Sequence, residues 1–244
     1  MKRRDLLTGF ALAAAGVSAE PADTESLYVP KAHRVEDRSM LHDFMDEYAF
    51  ADLITAGSSI RVTHLPTLLD RKKGTFGTIY GHVAKNNPQY TMFDGKSPAV
   101  LVFRGPHAYI SPSWFTKPGN AVPTWNFAVV HVSGKPKAVT DKPELHAFLG
   151  RLISKFETRY GGSSYDFSKL PESYVYGMLG GIVGFEMEIE AIDGKFKLSQ
   201  ERNEGDRASI EKHLEHAKEG RSIGELTSNF YSWVTASTPP TPKP

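Results

Sequence analysis

The chain has 244 residues, 40% hydrophobic and 23% charged, with a formal net charge of +1, which describes one large or two small globular domains rather than a disordered chain. It contains no cysteine, so disulfides, zinc thiolates, iron–sulfur clusters and cysteine nucleophiles are excluded. Nine histidines leave metal or haem ligation open.

The first residues, "MKRRDLLTGFALAAAGVSAEP", read as an export signal over 1–19. Lys2, Arg3 and Arg4 form a positive start, Leu6 to Val17 carries no charge, and Val17-Ser18-Ala19 ends in small residues. The apolar run is too short for a permanent membrane span. Arg3-Arg4-Asp5-Leu6-Leu7 resembles a twin-arginine signal, departing from its fullest form at Lys2, Leu6 and Thr8. The Sec route competes with it. Processing removes three basic residues and one acidic residue, so the net charge turns to −1. A mature protein without basic excess is poorly suited to phosphate backbones, which argues against nucleic acid as main partner.

A polar arm is expected at 20–27, one domain at 28–233, and a disordered Pro/Thr tail at 234–244. Ser39 can cap a helix through "MLHDFMDEY", with Leu41, Phe44, Met45 and Tyr48 on one face. "SIRVTHLPTLLD", "TFGTIYGHV" and "PAVLVFRG" read as strands, the last turning at Gly105-Pro106. "NFAVVHVSGKPKAV" is a long strand with a bend or edge at Gly134-Lys135-Pro136. Asp141 and Glu144 flank Pro143 as a capping box and open a helix with a Leu145, Phe148, Leu149, Leu152, Phe156 stripe. With a shorter helix over Pro171–Leu179, it makes a helical insertion at about 141–180. In "IVGFEMEIEAIDGKFKLSQ", Phe185, Met187, Ile189 and Ala191 face one way and the glutamates the other, with Asp193-Gly194 predicting a hairpin. A polar surface helix is expected from about Asp206 to Lys218. One-sided alternation over six or more strands predicts an antiparallel, barrel-like sheet with helices outside it rather than a doubly wound parallel one.

No nucleophile elbow, phosphate-binding loop, H-E-x-x-H or G-x-G-x-x-G is present. Four polar and aromatic clusters remain. They are Arg61, Thr63 and His64; "YGHVAKNNP" with His82, Lys85 and Asn86; "FRGPHAYISPSWF" with Trp125-Asn126; and "KFKLSQER". Each has a plain structural alternative. Strand-end lysines are usually solvated, His64 and His131 fit hydrogen-bonded core positions, and Trp114 and Trp125 fit core volume. Together they also fit a flavin mononucleotide, whose phosphate needs cations, hydroxyls and free amides, and whose flat ring needs apolar walls with a few donors. In that reading Pro112 aims the Ser111 and Ser113 hydroxyls and Trp114 offers a wall, while His107 is a structural hydrogen-bonding group. Composition alone leaves flavin, haem and no cofactor open.

The motifs "YVPKAH", "THLPTLLD", "GTIYGHVAKNNPQ", "FRGPHAYISPSWF", "VPTWNFAVVHVSGK" and "GKFKLSQERNEGDR" follow one another from Tyr28 to Leu214. In content and order they resemble the PaiB-like family of FMN-binding negative transcriptional regulators. Glu201, Asn203, Gly205 and Phe115 depart from its usual residues. The resemblance implies a mainly β (α+β) fold, a six-stranded antiparallel split β-barrel with peripheral helices, and a homodimer with FMN in the interface. By motif position it implies Arg61, Thr63, His64, His82, Lys85 and Asn86 near the phosphate. Ser111, Ser113, Trp114, Trp125 and Asn126 would line the flavin, and Lys197 and Gln200 would close the site. The family label suggests a cytoplasmic regulator, whereas the N-terminus suggests a periplasmic or secreted flavoprotein, such as an oxidoreductase acting on an unknown substrate or electron donor. Haem on His64, His82, His107 or His131 is the other cofactor reading.

Overall fold

In the computed structural model, residues 27–161, 165–216 and 227–228 are described. The expected signal, most of the arm and the tail lie outside them. The elements run β1 (Arg34–Val35), α1 (Arg38–Glu47), β2 (Phe50–Ala56), β3 (Ile60–Pro66), β4 (Leu68–Asp70), β5 (Thr78–Ala84), β6 (Ala99–Ile110), β7 (Thr124–Gly134), β8 (Lys137–Val139), α2 (Lys142–Phe156), α3 (Glu172–Leu179), β9 (Ile182–Lys197) and α4 (Glu204–His216). All strand pairs are antiparallel.

The sheet is a split barrel rather than a closed one. Its hydrogen-bonded path is β3-β2-β6-β7-β9-β5-β4, with β1 and β8 also on β9. The expected six strands are nine segments, because two long strands are broken and the two-residue β1 is added on β9. β3 and β4 are one run of chain kinked at Thr67, whose amide and hydroxyl both donate to the Ala49 carbonyl at 2.9 Å. The two ends of the path are therefore joined covalently, not by a ladder. β7 and β8 are likewise parted at Lys135-Pro136, because proline cannot donate to a ladder. This is the bend expected from the sequence.

β9 is the spine. Its first half pairs with β5 and β8 and its second half with β7 and β1. The expected Asp193-Gly194 hairpin does not form: the strand runs through, with Gly194 opposite Val130 and Val35. A bulge lies where Ser133 pairs with Ala191 and Gly134 with Ile189. The extra residue reverses which side chains face inward. Phe185, Met187 and Ile189 are buried before it, and Phe196 is buried after it, out of step with them. Ala191 therefore leaves the face assigned to it by simple alternation. Gly194 is required for close approach: a methyl there would collide with Leu41 of α1, and one at Gly184 would lie 2.5 Å from Leu145 of α2.

α1 begins two residues earlier than the sequence suggested. Asp37, not Ser39, is the N-cap, accepting from the Met40 amide at 2.8 Å. Leu41, Phe44 and Met45 enter the main core, where Phe44 meets Phe196 at 4.9 Å. α2 is capped by Asp141 as expected, through the Glu144 amide. With α3 it forms a second, smaller core from Val139, Leu145, Val175 and Leu179. α4 is not merely a surface helix. Ile210 and Leu214 are buried in the main core. The Asp206 carboxylate accepts from the Thr116 amide (2.8 Å), the Thr116 hydroxyl (2.7 Å) and Asn203 (2.9 Å), and these bonds, the Thr116 amide foremost, hold it below the usual carboxylate range.

Gly184→Ala and Gly194→Ala should each cost about 1–3 kcal/mol by overpacking. Gly177→Ala, inside α3 with nothing within 4 Å, should gain about 0.5–1 kcal/mol from helix propensity. Urea unfolding of the three variants checks the contrast.

Candidate functional site

The expected phosphate residues separate into three environments. β3 turns Arg61, Thr63 and buried Leu65 to one face and Val62 and His64 to the other, as period two requires. Thr63 donates to Gln89 Oε1 at 2.5 Å and accepts from Asn87 Nδ2 at 2.8 Å. Gln89, fully buried, donates to the carbonyls of Leu53 (3.0 Å) and Arg61 (3.4 Å). Asn87 in turn caps the 3-10 turn Pro88–Met92. This network clamps β3 to the turn after β5, leaving Arg61, Lys85 and Asn86 exposed there. Lys85 offers no free amide to a phosphate, because its N–H donates to the Gly181 carbonyl at 2.8 Å. Asn87 and Gln89 were missed by sequence reading, although an Asn preceding Pro is a turn-initiating signal.

His64 lies on the opposite face. It is exposed rather than in the core, and its Nδ1 is bonded to Asp52, which also holds Arg104 at 3.0 Å. His82 is elsewhere again, under α2, with its ring 6.0 Å from that of Phe148. Its Nδ1 is buried without a hydrogen-bond partner. Burial lowers its pKa, since desolvation disfavours the charged ring.

The "FRGPHAYISPSWF" stretch holds a further correction. Gly105-Pro106 makes no turn. β6 continues to Ile110 through an irregularity between Arg104 and His107, and Gly105 gives room to the Phe44 ring. His107 is exposed beside Trp125, ring centres 6.0 Å apart, rather than acting as a structural hydrogen-bonding group. Pro112–Trp114 is a 3-10 turn capped by Ser111, and the Ser111 and Ser113 hydroxyls bond each other at 2.8 Å. Only Ser111 is extended; Ser113 is inside the turn. Trp114 stacks on His213 of α4 at 4.9 Å and 8°.

Trp125 is 52% exposed and so is no core filler. With Tyr109 and His107 it forms an aromatic platform on the outer face of the sheet. Lys197, opposite Phe127 on β9, lies next to it and donates to Thr124; Lys195 is further along, opposite Val129, and donates to the Tyr28 carbonyl at 3.0 Å. Asn126 points the other way, fully buried, accepting from the Ser199 hydroxyl at 2.8 Å. That bond holds Ser199 at φ 62°, a conformation unfavourable for a residue with a Cβ. Gln200 spends its amide on the Phe196 carbonyl (2.6 Å), the Ala32 carbonyl (3.0 Å) and the Leu198 N–H (2.7 Å). Asn126 and Gln200 are thus fastenings behind the platform. Among the described residues, no three His, Asp or Glu side chains are grouped to hold a metal ion, and no helix is long and apolar enough to cross a membrane.

Residues 27–191 match the model of the family described as "Putative FMN-binding domain". The chain belongs to this family. It is 34% identical over 191 residues to "Protease synthase and sporulation protein PAI 2" of Bacillus subtilis, covering 78% of this chain and 90% of that one. Two solved structures share the fold. The FAD and haem binding protein of Mycobacterium smegmatis has TM-score 0.52 and 9% identity over 72% of this chain and 79% of that one. The flavocytochrome Anf3 of Azotobacter vinelandii has TM-score 0.51 and 13% identity over 74% and 78%. The PaiB-like resemblance and the split-barrel architecture are therefore established, as is consistency with FMN or haem as cofactor.

His82 has a defined pH signature. Its folded pKa lies below the unfolded value of about 6.5, so between the two the unfolded chain binds a proton that the folded chain does not. Its contribution is fully present above about pH 6.5 and is lost as pH falls toward the lowered folded pKa. Melting curves from pH 8 to pH 5 should show this slope reduced in His82→Phe.

Proposed function

We propose that the chain is an FMN-binding flavoprotein that works as a homodimer with the flavin between the two copies. Family membership over residues 27–191 carries the reading. The residues present fit the group. Arg61, Lys85, Asn86 and the Thr63 edge supply two cations and polar side chains for a phosphate. Trp125, Tyr109 and Lys197 supply a flat wall and a donor for a ring. These two sets face opposite sides of the sheet, so one copy cannot close both around one ligand, and the second copy supplies what the first lacks.

The outer sheet face supports the pairing. Ile60 is 75% and Val62 51% exposed on edge strand β3, with Ile54 and Val100 beside them in register. An apolar edge of this kind is usually covered.

When bound, flavin supplies the redox chemistry, and the protein supplies binding and electrostatics. The charge, apolar run and small residues at 1–19 support export of this flavoprotein, which would then act as an oxidoreductase through the bound flavin. A haem reading is favoured by the two fold relatives named for haem or flavocytochrome, with exposed His107 as the accessible ligand. The likeness to the Bacillus protein named for protease synthase and sporulation favours the regulator reading.

FMN titrated into the purified full-length protein should give bound flavin absorption. Arg61→Gln with Lys85→Gln should weaken it about tenfold to a hundredfold, since a hydrogen bond to a charged group contributes about 1.5–3 kcal/mol. Absence of flavin binding, with a Soret band on haem titration that disappears in His107→Ala, would replace flavin with haem. Retention of 1–19 in cells together with salt-sensitive DNA binding would move the protein to the regulator reading. Val62→Asp should turn dimer into monomer in sedimentation.

A further inference from the structure

We propose that the cleft between the end of α1, the start of β2 and the end of α2 is a separate binding site for small aromatic carboxylates. The cleft has a volume of about 500 Å³, within the range of small-molecule pockets. It rests on geometry distinct from the proposed flavin contacts.

Its walls are aromatic. Phe50 and Tyr160 are 67% and 71% exposed, and both line the cleft with Tyr48, Pro66 and Phe156. The Tyr160 ring is held in place without a ligand. It stacks on Phe156 at 6.2 Å and 11°. The Arg159 guanidinium lies 5.1 Å above it, itself tied to the Asp46 and Glu47 carbonyls and the Glu47 carboxylate. A wall that is already ordered costs little entropy when a flat ring docks on it.

The polar end is cationic. Arg104 lines the cleft and reaches Asp52 through Nη2 alone, leaving the other donors of its fork facing outward on a side chain 65% exposed. The Asp52–His64 pair lies two residues along the ladder from the Phe50–Pro66 pair, on the same face. Asp52 holds His64 by Nδ1, so Nε2 is the nitrogen left for a ligand. Both nearby carboxylates are already paired, Glu47 with Arg159 and Asp52 with Arg104 and His64. What remains is the part of the Arg104 guanidinium not used on Asp52, beside an aromatic slot, which matches a carboxylate on a flat ring.

The test is calorimetric titration of 2-naphthoate into the full chain, with and without FMN, against uncharged 2-naphthalenemethanol. Naphthoate should bind equally in both conditions, and the alcohol about tenfold more weakly or less. Arg104→Gln should lose about tenfold to a hundredfold, with partial rescue by Arg104→Lys. Tyr160→Ala, at an exposed position, should weaken naphthoate while leaving FMN binding and circular dichroism unchanged. Absence of naphthoate binding, equal binding of the alcohol, or indifference to both substitutions would overturn the proposal. Competition between naphthoate and FMN would also overturn it, by giving the cleft to the flavin. Failure of FMN to bind at all would leave the naphthoate result readable on its own.

Discussion

The fold depends on one strand being straight enough to carry two half-sheets and irregular enough to serve both. β9 pairs along its edges with four other strands. A regular 16-residue strand would keep one face inward throughout. The bulge beside Ile189 changes that phase, so Phe185 and Phe196 both reach the interior from opposite parities. Fully burying such a ring is favourable by about 1.5–3 kcal/mol, which a wrong phase would forfeit at several positions together. Gly184 and Gly194 then let α2 and α1 lie against the strand where a side chain would push them off.

Polar groups inside this framework mainly hold backbone to backbone. Gln89 and Thr67 fasten strand ends through carbonyl oxygens, and Asn126 fixes the left-handed Ser199. An unpaired buried amide costs about 1–3 kcal/mol, so Gln89 and Thr67 are committed once their partners are in place, whereas Asn126 uses only its oxygen and keeps a buried Nδ2 without a hydrogen-bond partner. The consequence for function is spatial. Residues with spent donors sit behind the surface, and those left with exposed cations or rings (Arg61, Lys85, Trp125, Arg104) define where a ligand can be met.

The outer face of the sheet is graded along the strands. Its β3 end is apolar, its middle carries the Asp52, His64 and Arg104 cluster, and its far end presents Tyr109 and Trp125. The apolar end is where a second copy is proposed to dock, and the charged middle is left exposed beside the aromatic cleft.

Much of the architecture was legible in the sequence because it rests on local rules. Alternation marked the strands, Asp141 and Pro143 marked the start of α2, and Lys135-Pro136 marked the break between β7 and β8. Six ordered motifs identified the family. The Asp193-Gly194 hairpin was misread because glycine signals a turn and a close approach with the same letter, and only the packing of Leu41 distinguishes them. The Thr63/His64 separation follows from period two, yet which face was the core could not be known before β2 and β6 were placed. Likewise Gln200 had the chemistry of a ligand donor, and long-range partners such as the Ala32 carbonyl turned it into a fastening, while burial took Asn126 away from the surface and set its oxygen against Ser199. Residue type and spacing determined where strands lie, the start of α2 and the family. Burial and pairing across distant segments decided which polar side chains were left to bind anything, because a donor can be spent only once its tertiary partner arrives.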